Sequence, residues 1–274
     1  AVMEGLYRPF LLNETPVIFT RRPTSELIKY AANAFLATKV TFINEIADVC
    51  EMVGADVQDV SKGIGLDSRI GPKFLSAGAG FGGSCFPKDA LALAGIAREV
   101  GRPTQIVNSV IAANNERKRR MAQKVIDACG GSVAGKMIAV LGVTFKPNTD
   151  DMRDAPSLDI IPLLQRAGAK IRAFDPEGMS EAQKHLNDVE WGTDSYSVMD
   201  GADAVMIVTE WNEFRVLDFA RMKGLLKAPV VVDLRNVYTL KEMAENGFTY
   251  YSVGRTPVVE QPAIVQSVAG MSND

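Results

Sequence analysis

The chain has 274 residues, of which 47% are hydrophobic and 23% charged, proportions that are ordinary for one large or two average globular domains. The formal net charge of −3 gives no basic field, so nucleic acid and anionic membranes are excluded as expected partners. No run of about 18 apolar residues predicts a membrane span, and three widely spaced cysteines indicate a reducing, cytoplasmic compartment rather than a disulfide framework.

The first residues resemble the end of another unit. Residues 2–7 have the pattern of a helix end, and residues 16–20 that of a short strand with no partner nearby. A strand in this position indicates a sheet upstream of it. We therefore expect residues 1–22 to be the remnant of a preceding domain.

The next part of the chain is predicted to be helical, with one glycine-rich loop. Apolar residues recur at spacings of three and four, which predicts helices over residues 24–53, 56–62, 87–100 and 104–130. Thr24 or Ser25, Asp56 and Thr104 are the expected N-caps. The middle of the last helix, residues 114–120, is highly polar.

The loop Gly78-Ala79-Gly80-Phe81-Gly82-Gly83-Ser84-Cys85, here called the thiol loop, precedes the third of these helices. Its glycines allow close approach of a ligand, because no Cβ stands in the way. Pro87 suits the first helical position, so Cys85 lies just ahead of a helix N-terminus with Lys88 one turn away. Both the helix dipole and the ammonium favour a thiolate, and Asp89 can point to the same side.

Two further observations concern the glycines and the other cysteines. The thiol loop matches G-x-G-x-x-G, but residues 71–77 before it are a poor strand, so the match is not a dinucleotide fingerprint. Cys50 and Cys129 lie inside apolar helical patterns and are expected to be buried.

After residue 131 the pattern changes to buried strands that alternate with helices. The predicted strands are residues 137–142, 170–174, 204–208, 229–234 and 248–253, and the predicted helices residues 156–167, 180–186, 217–226 and 240–246. This alternation predicts a doubly wound parallel sheet, Rossmann-like, that binds ligands beyond the carboxyl ends of its strands. Pro162 is expected to bend or delay its helix. Lys146 and Arg153, in the loop after the first strand, can meet phosphates.

Other polar residues carry weaker signals. Lys29 and Asn33 are four apart and share one helical face, where spacing alone leaves a solvated polar stripe as the alternative. His185, the single histidine, lies in a polar helical stretch and is expected to be solvated. No metal site is predicted.

Several strings carry a resemblance to a known family. Phe74-Leu75, Gly78 and the run from Gly80 to Asp89 closely resemble the active-site segment of the UDP-glucose 6-dehydrogenases, in the UDP-glucose/GDP-mannose dehydrogenase family. The resemblance extends from about residue 7 to residue 255. Its other strings are residues 26–35, 69–71, 144–153, 209–211 and 233–236.

The resemblance implies four catalytic residues. Cys85 would add to a sugar aldehyde, forming a thiohemiacetal and then a thioester. Lys29, Asn33 and a bound water would stabilise the oxyanion. Asp89 would position or deprotonate the water that releases the carboxylate. UDP-glucose would thereby become UDP-glucuronate, with NAD used twice.

The resemblance also implies the binding residues. Substrate contacts would come from Lys29, Arg69, Phe74, Leu75, Ser76, Ala77, Gly78, Gly82 and Lys146, with residues 74–78 and Gly82 using backbone groups. Lys88 and Arg153 would approach NAD. Arg69 would reach the substrate of a partner subunit, so a homodimer is expected. The helix over residues 104–130 either forms the dimer interface or packs within the chain.

These implications give a domain plan and leave alternatives. Residues 1–22 would be the remnant of an NAD-binding domain, residues 23–130 an all-helical central domain, and residues 131–274 a Rossmann-like, UDP-sugar-binding domain with a tail. Because the family's NAD fingerprint is missing, we expect the isolated chain not to reduce NAD. The alternatives are a GDP-mannose or UDP-N-acetylmannosamine dehydrogenase, and a non-redox nucleotide-sugar-binding module. An unrelated thiol hydrolase is disfavoured, because no histidine lies beside Cys85.

Overall fold

The computed structural model of the chain describes residues 2–7, 9 and 17–259. A helical region comes first and a parallel sheet with helices second, which confirms the predicted α/β class. The helices before the sheet are α1 Val2–Tyr7, α2 Arg22–Val53, α3 Val57–Gly65, α4 Phe86–Glu99 and α5 Gln105–Ala128. Residues 17–20 are not a strand, so the strand predicted over residues 16–20 is wrong in its described part.

Helix α2 differs from the prediction at its start. It begins at Arg22 with Pro23 in the first turn, where the fixed φ of proline suits a helix. The predicted caps Thr24 and Ser25 therefore lie inside the helix. Gly54 follows the last turn with φ 75°, the left-handed conformation that glycine adopts at helix ends.

The two other predicted caps have different outcomes. Asp56 precedes α3 and accepts a hydrogen bond from the N–H of Gln58 at 2.8 Å, as expected. Thr104 precedes α5 but makes no capping hydrogen bond, and its buried hydroxyl has no partner among the described residues. The hydroxyl cap predicted for Thr104 is therefore wrong.

All six strands of the sheet are parallel, in the order β3-β2-β1-β4-β5-β6. They are β1 Met137–Leu141, β2 Lys170–Phe174, β3 Val189–Trp191, β4 Ala204–Ile207, β5 Val230–Asp233 and β6 Thr249–Ser252. The strand order reverses between β1 and β4, which is where doubly wound sheets bind ligands. Strand β3 was not predicted, because three residues are too short to show a pattern.

The helices of the sheet region are α6 Ser157–Arg166, α7 Met179–Ala182, α8 Phe219–Leu225 and α9 Leu240–Glu245. A 3₁₀ turn covers Asn212–Val216. Helix α6 runs across Pro162 without a break. Helix α7 is shorter than predicted and ends before His185, which is half-exposed and lies 3.4 Å from the carboxylate of Glu181.

The hydrophobic core divides between the two faces of the sheet. On β1, Ile138 and Val140 point to one face, while Ala139 and Leu141 point to the other, as the period of two requires. The first face packs against α2, α5 and α6 through residues that include Ile43, Ala47, Met121, Val125, Ile160 and Leu164. The helical region and the first face of the sheet thus share one core. Among the described residues, no helix is long and apolar enough to cross a bilayer.

Candidate active site

Cys85 occupies the position just before α4, where the structure exposes it. Phe86 is the first helical residue and Pro87 the second, one residue earlier than predicted. The sulfur lies 3.7 Å from the hydroxyl of Ser84. Cys50 and Cys129 are both buried, as expected. The accessible thiol in the described part of the chain is therefore the one at a helix N-terminus.

A chain of polar side chains connects α2 to α4 beside this thiol. The ammonium of Lys29 lies 3.5 Å from the amide oxygen of Asn33, and the amide nitrogen of Asn33 donates to the carboxylate of Asp89 at 2.5 Å. The ammonium of Lys88 lies 3.0 Å from the second oxygen of Asp89. The structure thus brings together three of the four predicted catalytic residues, Lys29 and Asn33 of α2 and Asp89 in the first turn of α4.

Asp89 is 3% exposed, yet it is held in its charged form. Burial disfavours the charge, but hydrogen bonds from Lys88 and Asn33 and the charges of Lys88 and Lys29 outweigh burial. Together they lower the pKa of the Asp89 carboxyl below its ordinary value. A buried carboxylate with this many donors is a fixed acceptor.

The start of the thiol loop is hydrogen-bonded within the protein. The N–H of Gly78 donates to the side chain of Asn44 at 2.8 Å, and its carbonyl accepts from Arg117 at 2.9 Å. The carbonyl of Leu75 accepts from Ser61 at 2.6 Å. Leu75 and Gly78 were predicted to bind substrate through backbone groups, and in the structure those groups form hydrogen bonds that hold the loop.

The end of the thiol loop packs against the loop that follows β1. A Cβ on Gly82 would lie 2.3 Å from the carbonyl oxygen of Asp154, and one on Gly83 would lie 2.7 Å from the ring of Phe145. The N–H of Gly83 donates to the carbonyl of Arg153 at 2.8 Å. Only glycine fits such an approach of two backbones.

Gly78 packs against the loop that follows β5. A Cβ there would lie 3.1 Å from a guanidinium nitrogen of Arg235 and 3.2 Å from the carbonyl of Leu234. Arg235 binds Glu210, which follows β4, through two hydrogen bonds of 2.5 and 2.6 Å. The thiol loop therefore lies at the carboxyl edge of the sheet.

The Arg235–Glu210 pair was not among the predicted site residues. Burial opposes ionisation of Glu210, but the charge and hydrogen bonds of Arg235 outweigh it and lower the pKa of that carboxyl. The position of the two residues in the chain could have pointed to them. Residues 209–211 follow β4 and residues 233–236 lie at the end of β5, at the edge where such sheets bind ligands.

Lys88 and Arg153, the two residues predicted to approach NAD, each pair with a carboxylate. The hydrogen bond to Asp89 raises the pKa of the Lys88 ammonium, and that to Asp151 raises the pKa of Arg153. Both side chains are exposed. The described residues contain no glycine-rich strand–turn–helix of the kind that binds a dinucleotide.

The other predicted binding residues lie on the surface or beside α4. Arg69 is 87% exposed and pairs with Asp67 at 2.6 Å, so its own hydrogen bonds do not reach Cys85. Lys146 is exposed, with its ammonium 5.2 Å from the ring centroid of Phe145. Ser76 is exposed and Ala77 half-buried.

Phe74 lies beside the start of α4. Its backbone adopts φ 64°, a conformation that is rare for a residue with a side chain. The ring centroid of Phe74 is 5.9 Å from that of Phe86, which in turn is 5.9 Å from that of Phe81. This aromatic cluster connects the segment before the thiol loop to the residue after Cys85.

Two family models match the chain. Residues 23–116 match the central domain of the UDP-glucose/GDP-mannose dehydrogenase family, and residues 139–240 match its UDP-binding domain. The chain belongs to this family. The thiol loop belongs to the matched central domain and packs against the UDP-binding domain, since its contacts Phe145, Asp154 and Arg235 all come from the latter.

Known members of the dehydrogenase family agree. The chain is 58% identical over 254 residues to a UDP-glucose 6-dehydrogenase of Rhizobium meliloti, covering 93% of the chain and 58% of that relative. It is 50% identical over 259 residues to UDP-glucose 6-dehydrogenase TuaD of Bacillus subtilis, covering 94% and 55%. A UDP-glucose dehydrogenase structure from Pyrobaculum islandicum superposes with a TM-score of 0.81 at 33% identity, covering 93% and 56%. The chain thus spans somewhat more than half the length of these relatives.

Proposed function

We propose that this chain carries the thiol and the nucleotide-sugar site of a UDP-glucose 6-dehydrogenase, which oxidises UDP-glucose to UDP-glucuronate. The observation that carries the proposal is the exposed Cys85 at the start of α4, beside the connected side chains of Lys29, Asn33 and Asp89. Residues 23–130 form the central domain in this proposal, residues 131–274 the UDP-sugar domain, and residues 1–22 belong to an NAD-binding domain.

The sulfur of Cys85 forms and breaks one bond in each turnover. NAD, when bound, would supply the hydride acceptor for two oxidations at C6, and in each of them the proton of the C6 hydroxyl passes to solvent. The thiolate of Cys85 adds to the C6 aldehyde, and the resulting oxyanion takes a proton from solvent to give a thiohemiacetal. After the second oxidation C6 is a thioester. Water then adds to C6 and its two protons pass to solvent, the C–S bond breaks, the sulfur leaves as thiolate, and the sugar leaves as a carboxylate.

The three polar neighbours have separate roles. The ammonium of Lys29 and the amide of Asn33 are donors for the oxygen on C6 as it gains negative charge. Asp89 positions water rather than deprotonating it, because a carboxylate whose pKa is lowered is a weak base. Its hydrogen bond from Asn33 also fixes the orientation of that amide.

The sheet domain supplies the uridine diphosphate site. The carboxyl edge beside the thiol loop carries Arg235 and, in the loop after β1, Lys146, which are cations for the two phosphates. The segment before the thiol loop, with Phe74, Ser76 and Ala77, borders the uridine diphosphate site. Arg69 of a partner subunit completes it. Lys88 and Arg153 meet the phosphates of NAD.

The central domain presents an apolar groove for a second copy of the chain. Helix α5 packs within the chain through residues such as Met121 and Val125, but its first turn leaves Ile106 70% exposed beside Phe35 of α2, which is 67% exposed. Apolar faces of this kind are typical of interfaces. We therefore propose a homodimer in the cytoplasm, to be tested by the native mass of the chain.

Ligand protection of the thiol tests the proposal. Iodoacetamide labelling of Cys85 is followed with UDP-glucose, UDP and GDP-mannose, using Cys85→Ser as the control for labelling elsewhere. We expect UDP-glucose to slow labelling by about tenfold or more, and GDP-mannose to have little effect. Protection by GDP-mannose alone would favour the other branch of the family. Labelling that no nucleotide sugar changes would reject the proposal.

Hydride transfer is tested separately. Because the described residues offer NAD two cations and no dinucleotide cradle, we propose that the 274-residue chain alone forms no NADH from UDP-glucose. The measurement is NADH absorbance with chain, UDP-glucose and NAD. NADH formation would refute this part, whereas binding of UDP-glucose without any redox activity in a longer form would favour a non-redox module.

A further inference from the structure

One face of α5 carries three polar side chains that are almost fully buried. Asn114, Arg117 and Lys118 are 5%, 4% and 5% exposed, although long charged side chains are rarely buried. Spacings of three and four place them on the same side of the helix. That side faces the thiol loop.

Asn114 binds the middle of the thiol loop through both ends of its amide. The N–H of Phe81 donates to the side-chain oxygen at 2.8 Å, and the side-chain nitrogen donates to the carbonyl of Phe81 at 3.0 Å. Both backbone groups of Phe81 are thus satisfied by one side chain, in a segment with no strand partner. Gly80 has φ 107°, and a Cβ there would lie 2.9 Å from the same oxygen.

The two other buried residues hold the flanks of the loop. Arg117 donates to the carbonyl of Gly78, and Lys118 pairs with Asp159 at 2.7 Å and lies 3.4 Å from the carbonyl of Asp154. In the described part of the chain, Asn114 is the side chain that hydrogen-bonds the segment from Gly80 to Gly82. The path of the segment that leads to Cys85 therefore depends on this amide.

We propose that Asn114 is a positioning residue for Cys85. It contacts neither the sulfur nor the polar side chains around Asp89, and it acts by fixing Phe81, four residues before the thiol. The inference rests on the proposed function in one respect, that Cys85 is the reacting group. Fixing the loop keeps the exposed sulfur in its place directly before the first turn of α4.

Hydrogen exchange of the loop amides measures the first half of this proposal. In Asn114→Ala the N–H of Phe81 loses its acceptor, and we expect it to exchange at least about tenfold faster. The β1 amides from Ile138 to Leu141 serve as the reference for global opening. Asn115→Ala is the matched control, since Asn115 is adjacent, exposed and makes no hydrogen bond in the described residues.

A conservative variant distinguishes positioning from general destabilisation. Asn114→Asp keeps the acceptor for the Phe81 N–H and removes the donor to its carbonyl, so we expect it to restore most of the Phe81 protection. It also carries the test if Asn114→Ala does not fold. Equal acceleration of loop and β1 amides, or an unchanged Phe81 amide, would overturn the proposal.

Labelling of Cys85 measures the second half. We expect the rate at which iodoacetamide labels Cys85 to change by at least about threefold in Asn114→Ala, because the sulfur is displaced, and to stay at the wild-type value in Asn115→Ala. A wild-type rate in Asn114→Ala would overturn the positioning role. Neither measurement uses UDP-glucose or NAD, so a failure of ligand protection would reject the proposed function without deciding the role of Asn114.

Discussion

Asn33 of α2 donates a hydrogen bond of 2.5 Å to the carboxylate of Asp89 in α4, 56 residues further along the chain. Helix α2 is 32 residues long, and it holds both Asn33 and Lys29 on a regular backbone. A site built on two packed helices is held more rigidly than one built on loops. Cys85 is the exception, since it sits at the junction between a loop and a helix.

The charge of Asp89 should contribute to stability in a pH-dependent way. Its pKa in the folded chain is lower than the ordinary value, so the contribution is present above the unfolded pKa and is lost as the pH falls through the folded pKa. We expect the wild type to be more stable than Asp89→Asn at pH 7, and the difference to shrink below about pH 4. Urea unfolding at several pH values measures this difference, and a difference independent of pH would contradict it.

Gly82 should not tolerate a side chain. In Gly82→Ala the new Cβ would meet the backbone oxygen of Asp154, so we expect a loss of about 1–3 kcal/mol in the free energy of unfolding. Gly95→Ala is the matched control, because Gly95 lies inside α4 with open space around its Cβ position and alanine favours the helix by up to about 1 kcal/mol. Urea unfolding of both variants should give opposite signs, and equal effects would contradict the close approach.

The three thiols should differ sharply in reactivity. Burial raises the pKa of the Cys129 thiol, and burial together with the charge of Asp56 raises that of Cys50, so both hold less thiolate at neutral pH. We expect native iodoacetamide labelling at Cys85 alone, and labelling of all three cysteines in urea. Peptide mass analysis locates the label. Native labelling of Cys129 in Cys85→Ser would contradict the structure.

Glu51 should connect the helical region to the sheet. One oxygen accepts the N–H of Gly254 at 2.7 Å and the other accepts from Lys124 at 2.8 Å. In Glu51→Ala the Gly254 amide loses its acceptor, and we expect its exchange to accelerate by about tenfold. Glu99→Ala, at an exposed position at the end of α4, is the control. An unchanged Gly254 amide would contradict this role of Glu51.

The polar run over residues 114–120 is a part of α5 whose burial could not be predicted from the sequence pattern. Its charges are typical of a solvated helix face, yet Asn114, Arg117 and Lys118 are buried against the thiol loop. The other residues of the run, such as Arg119, remain exposed. Spacings of three and four place the buried members on one side of α5, but their burial depends on the loop that packs over that side.

The Arg235–Glu210 pair shows the same limit in the sheet. The strands β4 and β5 were predictable from apolar runs, and the rule on carboxyl ends pointed to the loops after them. That Arg235 would lie beside Gly78 depends on how the central helices dock on the sheet. Docking of this kind is decided by contacts between residues far apart in the chain.

The amino-acid sequence by itself determined the α/β class, the burial of Cys50 and Cys129, and the position of Cys85 at the start of a helix. Those features follow from short-range periodicity and from glycine and proline chemistry, which act over a few residues. Only the tertiary structure decided that Asn33 binds Asp89 and that Asn114 holds Phe81. Each of those hydrogen bonds joins residues more than thirty positions apart, so it exists only once the shared core has brought the helices, the thiol loop and the sheet together.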